Sequence, residues 1–328
     1  MSNKSNVKKI LEKQGYRFVG NHSSIKICRW TKKSLIDEGE CYKSRFYGIN
    51  TWRCCQISPW IGCNNKCRHC WRPIEINFNK LINKNKIDSP EFIINNSIKS
   101  QQKLLTGFKG NKKINSGKFR EAQEPMQFAI SLTGEPTLYP KLGEFIAELR
   151  KKGKTSFVVT NGLQPGVLSN LNKEGNLPTQ LYLSVNASNK KSYDKWHRSK
   201  EKNAWKKFND TLELFPKLKG KTRTVIRMTL VKDINMKPEM VEEYVKLIKK
   251  ARPDFIEVKG FMSVGFARKR LGYEMMPRHN LVRDYAEKIA IALNKKNEKY
   301  KILDEHEASA VILLGKDKKI MKIKRSEV

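Results

Sequence analysis

Beyond residue 54 the apolar positions fall into short runs rich in β-branched and aromatic residues, separated by longer stretches in which apolar residues recur at helical spacing. The runs predict strands at 55–60, 127–133, 155–160, 180–185, 223–231 and 255–259. Helices are predicted at 90–106, 141–152, 202–215, 237–251 and 280–294. Strands and helices alternating in this order imply parallel pairing through crossover helices, hence an α/β fold. Six such units fall short of a closed eight-stranded barrel, so the architecture expected is an open, partial (β/α)6 TIM-like barrel. Two strand-like runs at 301–304 and 308–314 are placed to close the sheet or pack beside it. Ligands in such folds sit at the carboxyl ends of the strands, which puts Gly134, Asn161, Asn186 and Lys259 on one rim. The chain divides into an N-terminal segment 1–54, a barrel 55–300, and C-terminal strands with a basic tail, 301–328.

The 328 residues are 38% hydrophobic and 30% charged, which supplies a substantial core and argues against wholesale disorder. The longest purely aliphatic run, 310–314, is far too short to span a bilayer, and the first residues lack the apolar core of a signal peptide. A cytoplasmic protein without membrane association is therefore expected. Lysine and arginine number 67 against 32 aspartate and glutamate, a net charge of +35. Such a surplus costs self-repulsion but suits a polyanion, whose counterions are released on binding. A generally lysine-rich composition is the other explanation. Residues 101–120, basic and without acids, read as a mobile loop, and the last thirteen residues as a frayed basic tail.

All seven cysteines lie between Cys28 and Cys70, which marks a metal or redox segment and not a disulfide framework. Cys63-Asn-Asn-Lys-Cys67-Arg-His-Cys70 is a CxxxCxxC motif directly after the first expected strand. Three thiolates this close suit three corners of a cubane iron–sulfur cluster and leave the fourth iron open to a ligand. Half of a zinc site is the alternative, although zinc usually takes four ligands in paired spacing, which x3 followed by x2 matches poorly.

CxxxCxxC in this position resembles the radical S-adenosylmethionine (SAM) superfamily. The resemblance implies a 4Fe-4S cluster on Cys63, Cys67 and Cys70 that binds SAM. Members carry a Gly-Glu element after the second strand, and Ser131-Leu-Thr-Gly134-Glu135-Pro136-Thr137 stands there, placing Gly134 and Glu135 near the cofactor's ammonium. Thr160, Asn161, Ser184 and Asn186 end the next two strands with hydroxyl and amide groups suited to a ribose or amino acid moiety. Arg227 is placed for the cofactor carboxylate, with a structural ion pair as the alternative. His69 stands where members usually have an aromatic residue, Trp71 following; its ring can stack near adenine, ligate iron or simply pack.

Cys28, Cys41 and Cys54 precede the barrel in a C-x12-C-x12-C pattern. This pattern, with Lys43 two residues after Cys41, the CxxxCxxC loop and SLTGEPTLYP, resembles the archaeal type of the tRNA 4-demethylwyosine synthase family over about residues 7–315. The resemblance implies a second 4Fe-4S cluster on Cys28, Cys41 and Cys54; the adjacent Cys55 either competes for iron or is a buried small hydrophobe. It implies condensation of pyruvate with N1-methylguanosine at position 37, beside the anticodon of phenylalanine tRNA. Lys43 matches the lysine taken to form a Schiff base with the ketone, and the second cluster would anchor the carboxylate. No flavodoxin-like segment of the kind fused in eukaryotic relatives is present, so a separate electron donor of flavodoxin or ferredoxin type is expected.

The target base must leave its stack to enter the barrel mouth. Residues 190–207 interleave eight basic residues with Tyr193, Trp196 and Trp205, a pattern for phosphate and base contact or, preferred for the tryptophans, a basic helix with buried aromatics. The loop after the sixth strand, with Arg268, Lys269 and Arg270, is the better candidate for the anticodon arm, with Arg278 and His279 assisting. Two rival readings remain: another radical SAM enzyme acting on a different RNA base or a protein, and a non-catalytic metal-binding RNA module.

Overall fold

Residues 3–328 are described by a computed structural model. The chain opens with helix α1 (Asn3–Lys13), strands β1 (Arg17–Val19) and β2 (Ser23–Lys26), and two short helices, α2 (Arg29–Ser34) and α3 (Tyr42–Tyr47). Six parallel strands follow: β3 (Cys54–Ser58), β4 (Gln127–Ile130), β5 (Thr155–Thr160), β6 (Gln180–Ser184), β7 (Arg223–Leu230) and β8 (Phe255–Gly260). Between β3 and β4 lie α4 (Pro90–Leu105) and α5 (Ser116–Glu121). Crossovers then use α6 (Leu142–Lys151), α7 (Pro165–Lys173), α8 (Lys190–His197) with α9 (Ala204–Leu214), and α10 (Val241–Ala251). After α11 (His279–Asn294), β9 (Lys301–His306) and β10 (Val311–Gly315) complete one sheet in the order β1-β2-β3-β4-β5-β6-β7-β8-β10-β9. The partial barrel is thus extended by an antiparallel pair at each edge.

Strand alternation sorts the core into two layers. Val158, Leu181, Leu183, Ile226, Ile256, Val258, Ile312 and Leu314 join the layer between sheet and helices. Phe157, Tyr182, Val225, Phe255, Val311 and Leu313 face the barrel interior, where they meet Tyr42, Phe46 and Tyr47 from α3. The short helix α3 therefore fills the lumen, and it carries Lys43 in with it.

All six expected strands are present, with ends moved by a few residues. The run 127–133 stops pairing at Ile130 because Ser58 and Thr133 exchange hydrogen bonds: Ser58 Oγ donates to the Thr133 carbonyl at 2.6 Å, and the Thr133 amide donates back at 2.7 Å. Two expectations are corrected. Residues 101–120 are docked rather than loose: Phe108, Ile114 and Phe119 pack on Leu35, Leu105 and Ala122, and the Asn115 amide donates to the Leu35 carbonyl at 2.8 Å. The basic tail also docks. Met321 is buried against the lumen cluster, the Ile323 amide donates to the Tyr47 carbonyl at 3.1 Å, and Glu327 pairs with Arg223 at 3.1 Å. Apolar anchors inside basic runs outweigh the charge there.

Candidate active site

Cys28 and Cys41 immediately precede α2 and α3, and Cys54 opens β3; together they line a cavity of about 380 Å³. Successive strand residues face opposite ways, so Cys54 and Gln56 line this cavity while Cys55 and Ile57 join the core beneath the helices. Burial pushes the Cys41 thiol up to about 11 and the Cys54 thiol to about 12, the neighbouring cysteines adding to the rise. Such thiols favour the thiolate only when a cation joins them.

Lys43 sits in the same cavity, 6% exposed, its ammonium 4.8 Å from the Phe157 ring centroid and 5.0 Å from that of Tyr182. Burial, with the Arg227 charge, lowers its pKa; Glu257 opposes. Glu257 is fully buried and accepts hydrogen bonds from Tyr47 Oη at 2.8 Å, Tyr42 Oη at 3.1 Å and Arg227 Nε at 2.9 Å. Burial alone would raise its pKa, but the Arg227 and Lys43 charges and the Tyr47 bond hold it below the usual carboxylate range.

Cys63, Cys67 and Cys70 line a second cavity of about 320 Å³ together with Gly134, Glu135, Thr160, Asn161, Ser184, Asn186 and Arg227. The two cavities share a wall that includes Trp71, Leu132, Arg227, Lys259 and Met262. The expected rim of Gly134, Asn161, Asn186 and Lys259 is thus assembled on the second cavity. Gly134 is there for steric reasons: its φ is +73°, and a Cβ would fall 2.0 Å from the Trp60 carbonyl oxygen.

Glu135 borders this cavity with its carboxylate enclosed by hydrogen-bond donors. Its carboxylate accepts from Thr137 Oγ1 at 2.7 Å, the Thr137 amide at 3.2 Å, Thr160 Oγ1 at 2.6 Å and the Asn161 amide at 2.8 Å. It ties the β4 and β5 ends together, and the Glu135 amide ties both to Gly62 at 2.7 Å. Asn161 Nδ2 in turn donates to Asn64 in the cysteine loop at 2.7 Å. The Asn186 amide is oriented by the Thr229 N–H at 2.8 Å and meets His69 Nε2 at 3.4 Å. His69 stacks on Trp196, ring centroids 5.3 Å apart, and burial drops its pKa to about 3, so it is neutral.

The loop between the cysteines is fixed by backbone bonds to α8 and its C-terminal end: the Lys66 amide donates to His197 at 2.9 Å and the Arg68 amide to Trp196 at 3.2 Å. Arg72 and Arg270 hold its carbonyls, Arg72 at Asn65 and Arg270 at Arg68, Cys70 and Arg72. Among the described residues no group of three or more His, Cys, Asp or Glu converges tightly enough to hold a single metal ion. Each trio surrounds space, and the buried Asn65 side-chain carboxamide and His69 Nδ1 beside the second cavity lack partners. Buried thiols, an adjacent Arg72 charge and unpartnered donors fit a cluster of iron and sulfide at Cys63, Cys67 and Cys70.

The radical SAM superfamily model matches residues 57–248, and a model described as wyosine base formation matches residues 250–316. The S-adenosyl-L-methionine-dependent tRNA 4-demethylwyosine synthase of Pyrococcus abyssi is 45% identical over 95% of this chain and 89% of its own length. The chain belongs to the tRNA 4-demethylwyosine synthase family. The Methanocaldococcus jannaschii member is 39% identical over 93% of this chain and 94% of its own. A structure of TYW1 with a lysine-pyruvate adduct bound superposes with a TM-score of 0.82 at 35% identity, covering 99% of both chains, and archaeal TYW1 with 0.74 at 32%, covering 96% of both. This family member is accordingly a radical SAM enzyme of tRNA modification with SAM and a 4Fe-4S cluster as cofactors, and no described helix is long and apolar enough to cross a membrane.

Of the expected RNA contacts, Arg268 and Lys269 are exposed beside Tyr273 and Phe266 on the loop after β8. Arg270 is corrected: besides bracing the cysteine loop it pairs with Glu75 at 3.0 Å, and its side chain is only 13% exposed. Arg278 is exposed, whereas His279 contacts Glu305 at 3.2 Å. Tyr193 and Trp196 are buried, so α8 offers cations but not those rings. Sequence reasoning missed Glu257 and Tyr42. The available signal was Phe255-Ile-Glu257-Val-Lys259, which puts two charges on the lumen face of an otherwise apolar strand.

Proposed function

We propose that this enzyme condenses pyruvate with N1-methylguanosine at position 37 of phenylalanine tRNA, giving 4-demethylwyosine, and that Cys28, Cys41 and Cys54 hold a second 4Fe-4S cluster. The observation carrying the reading is the pair of cysteine-lined cavities meeting at one wall, with Lys43 buried in one of them. When bound, the group at Cys63, Cys67 and Cys70 supplies with SAM the one-electron chemistry needed to remove hydrogen from an unactivated methyl group. Lys43 supplies the amine that condenses with the ketone of pyruvate, losing water to form a Schiff base. The aromatic walls of Phe157 and Tyr182 exclude water from that amine, and the Tyr42–Glu257–Arg227 network fixes the helix carrying it. The structure of TYW1 with a lysine-pyruvate adduct bound supports this role. Ser184, Thr160 and Asn161 border the cavity in which SAM would lie, while Arg268 and Lys269 would meet the anticodon arm. A separate cytoplasmic electron donor of flavodoxin or ferredoxin type completes the system.

The test is anaerobic turnover with carbon-labelled pyruvate and tRNA with or without the methylated guanosine, followed by mass analysis of the nucleosides. Labelled tricycle only from methylated tRNA is the expected result; product independent of the methyl group or of pyruvate would reject the reading.

A further inference from the structure

Cations of the basic run at 190–207 are tied to the loop that carries Cys63, Cys67 and Cys70. The Lys66 amide donates to the His197 carbonyl at 2.9 Å and the Arg68 amide to the Trp196 carbonyl at 3.2 Å. In return Arg198 Nε donates to the Lys66 carbonyl at 3.2 Å, and the Lys200 amide to the Asn64 carbonyl at 2.9 Å. Lys66, Arg68, Arg198 and Lys200 are thereby held together at the cysteine loop, Arg198 and Lys200 exposed and the other two half-buried. The acids beside them are committed elsewhere. Glu201 is held by Lys207 at 2.7 Å and by Asn64 Nδ2 at 3.3 Å, and Asp194 by Lys190 at 2.5 Å. Among the described residues no carboxylate lies within 4.0 Å of any of the four cations.

This patch differs from a nucleic-acid groove, which interleaves cations with exposed rings. Its rings are closed off, Tyr193 and Trp196 being buried, whereas the loop after β8 presents Tyr273, 61% exposed, beside Arg268. Trp196 also adjoins both the patch and the cysteines. Its ring lies 5.8 Å from the Arg68 guanidinium and stacks on His69, the neighbour of Cys70, with centroids 5.3 Å apart and planes 12° from parallel. Close-packed protein and not solvent therefore connects this surface to the thiols.

We propose that the patch of Lys66, Arg68, Arg198 and Lys200 is the docking face for the electron donor, a small acidic protein with a low-potential one-electron centre. This rests on the reading above that the donor is a separate protein. The donor gives one electron to the group held by Cys63, Cys67 and Cys70 and is itself oxidised, with no bond made or broken. The RNA meets Arg268 and Lys269 on the loop after β8, so donor and substrate use different faces.

The test compares wild type with the double variant Arg198→Glu, Lys200→Glu and with Arg198→Lys, Lys200→Arg, which keeps the charges. Cleavage of SAM to 5′-deoxyadenosine is driven either by a reduced bacterial flavodoxin or by dithionite, which needs no docking face. The charge-reversed variant should require at least about tenfold more flavodoxin for half its maximal rate, the effect of reversing charges that steer association. Its iron content and dithionite-driven cleavage should stay unchanged, and the charge-keeping variant should match wild type. Its affinity for tRNA should stay within about twofold, the phosphate contacts lying at other residues. Apart from turnover, carbodiimide should join flavodoxin carboxylates to Lys66 or Lys200 of wild type, each amide forming with loss of water, and high salt should suppress the cross-link. Three results overturn the proposal: an unchanged flavodoxin requirement in the reversed variant, cross-links confined to other lysines, or tRNA affinity falling as far as that for flavodoxin, which would assign the patch to RNA. If the reversed variant loses iron, the cross-link sites in wild type decide. Wild type that cleaves SAM with dithionite but with neither flavodoxin nor ferredoxin would fell the reading of the donor itself, and the patch's role with it.

Discussion

Arg227 and Glu257 form an ion pair of 2.9 Å on neighbouring strands β7 and β8, with Glu257 fully buried, and Tyr42 from α3 hydrogen-bonds to both. The pair does not face solvent or a surface partner. It fastens α3 into the lumen, and so fixes both Cys41 and Lys43. Glu257→Gln removes the charge while keeping the shape, leaving Arg227 uncompensated. Breaking one partner of a buried pair costs about 3–5 kcal/mol, so denaturant unfolding should show a loss of that order. A loss below about 1 kcal/mol would mean that the network is not a tie.

Lys43→Ala should still cleave SAM, since the amine lies in the other cavity from Cys63, Cys67 and Cys70. Formation of the tricycle should fall by on the order of a hundredfold or more, because the covalent hold on the ketone by the amine between Phe157 and Tyr182 is lost. Chromatography of 5′-deoxyadenosine and of tRNA nucleosides from one reaction measures both. Full product formation would remove the Schiff-base role.

Cys54→Ala and Cys55→Ala should differ although the residues are adjacent. The first removes a thiol from the cavity and should lower bound iron by about four atoms per chain. The second removes a sulfur from the core, leaves iron unchanged and costs on the order of 1–2 kcal/mol of stability. Metal analysis with thermal melting separates them, and a converse pattern would reverse the assignment.

Much of this was legible in the sequence because period-two strands and fixed cysteine spacings are local signals. The β3–β8 strands and both trios follow from them. The lumen helix α3 was not legible: Tyr42, Phe46 and Tyr47 form only six residues of helix, and what they bury against depends on Phe157, Tyr182 and Phe255 far along the chain. The tail was misread for a related reason, since one Met321 within a basic run carries little local signal yet finds the lumen. Arg270 was misassigned because a cation in a Gly-rich loop looks the same whether it meets phosphate or, as here, the carbonyls of Arg68, Cys70 and Arg72.

Gly134→Ala should disable the cofactor side. A left-handed backbone costs about 1–2 kcal/mol for a residue with a Cβ, and contact at 2.0 Å with the Trp60 carbonyl cannot be relieved by a rotamer change. The turn must shift, dragging Glu135 and its bonds to Thr160 and Asn161 with it. Equilibrium dialysis should show SAM affinity weakened by at least about tenfold, that is by more than ~1.4 kcal/mol. Unchanged affinity would show that the turn does not shape the pocket.

Binding of tRNA should weaken steeply with salt, with a slope steeper than about −3 in log affinity against log salt concentration if several phosphates are neutralised. SAM binding in a cavity should change little over the same range. Arg268→Ala and Lys269→Ala together should make the tRNA slope shallower by about 1–2. A slope near zero for wild type would contradict recognition through a basic surface.

The most direct test of the whole account is the iron and sulfide content and Mössbauer spectrum of anaerobically reconstituted protein, compared with the variant carrying alanine at Cys28, Cys41 and Cys54. Two cubane clusters, about eight irons and eight sulfides per chain, should fall to about four of each in that variant. About four irons in wild type, unchanged by the substitutions, would contradict the account.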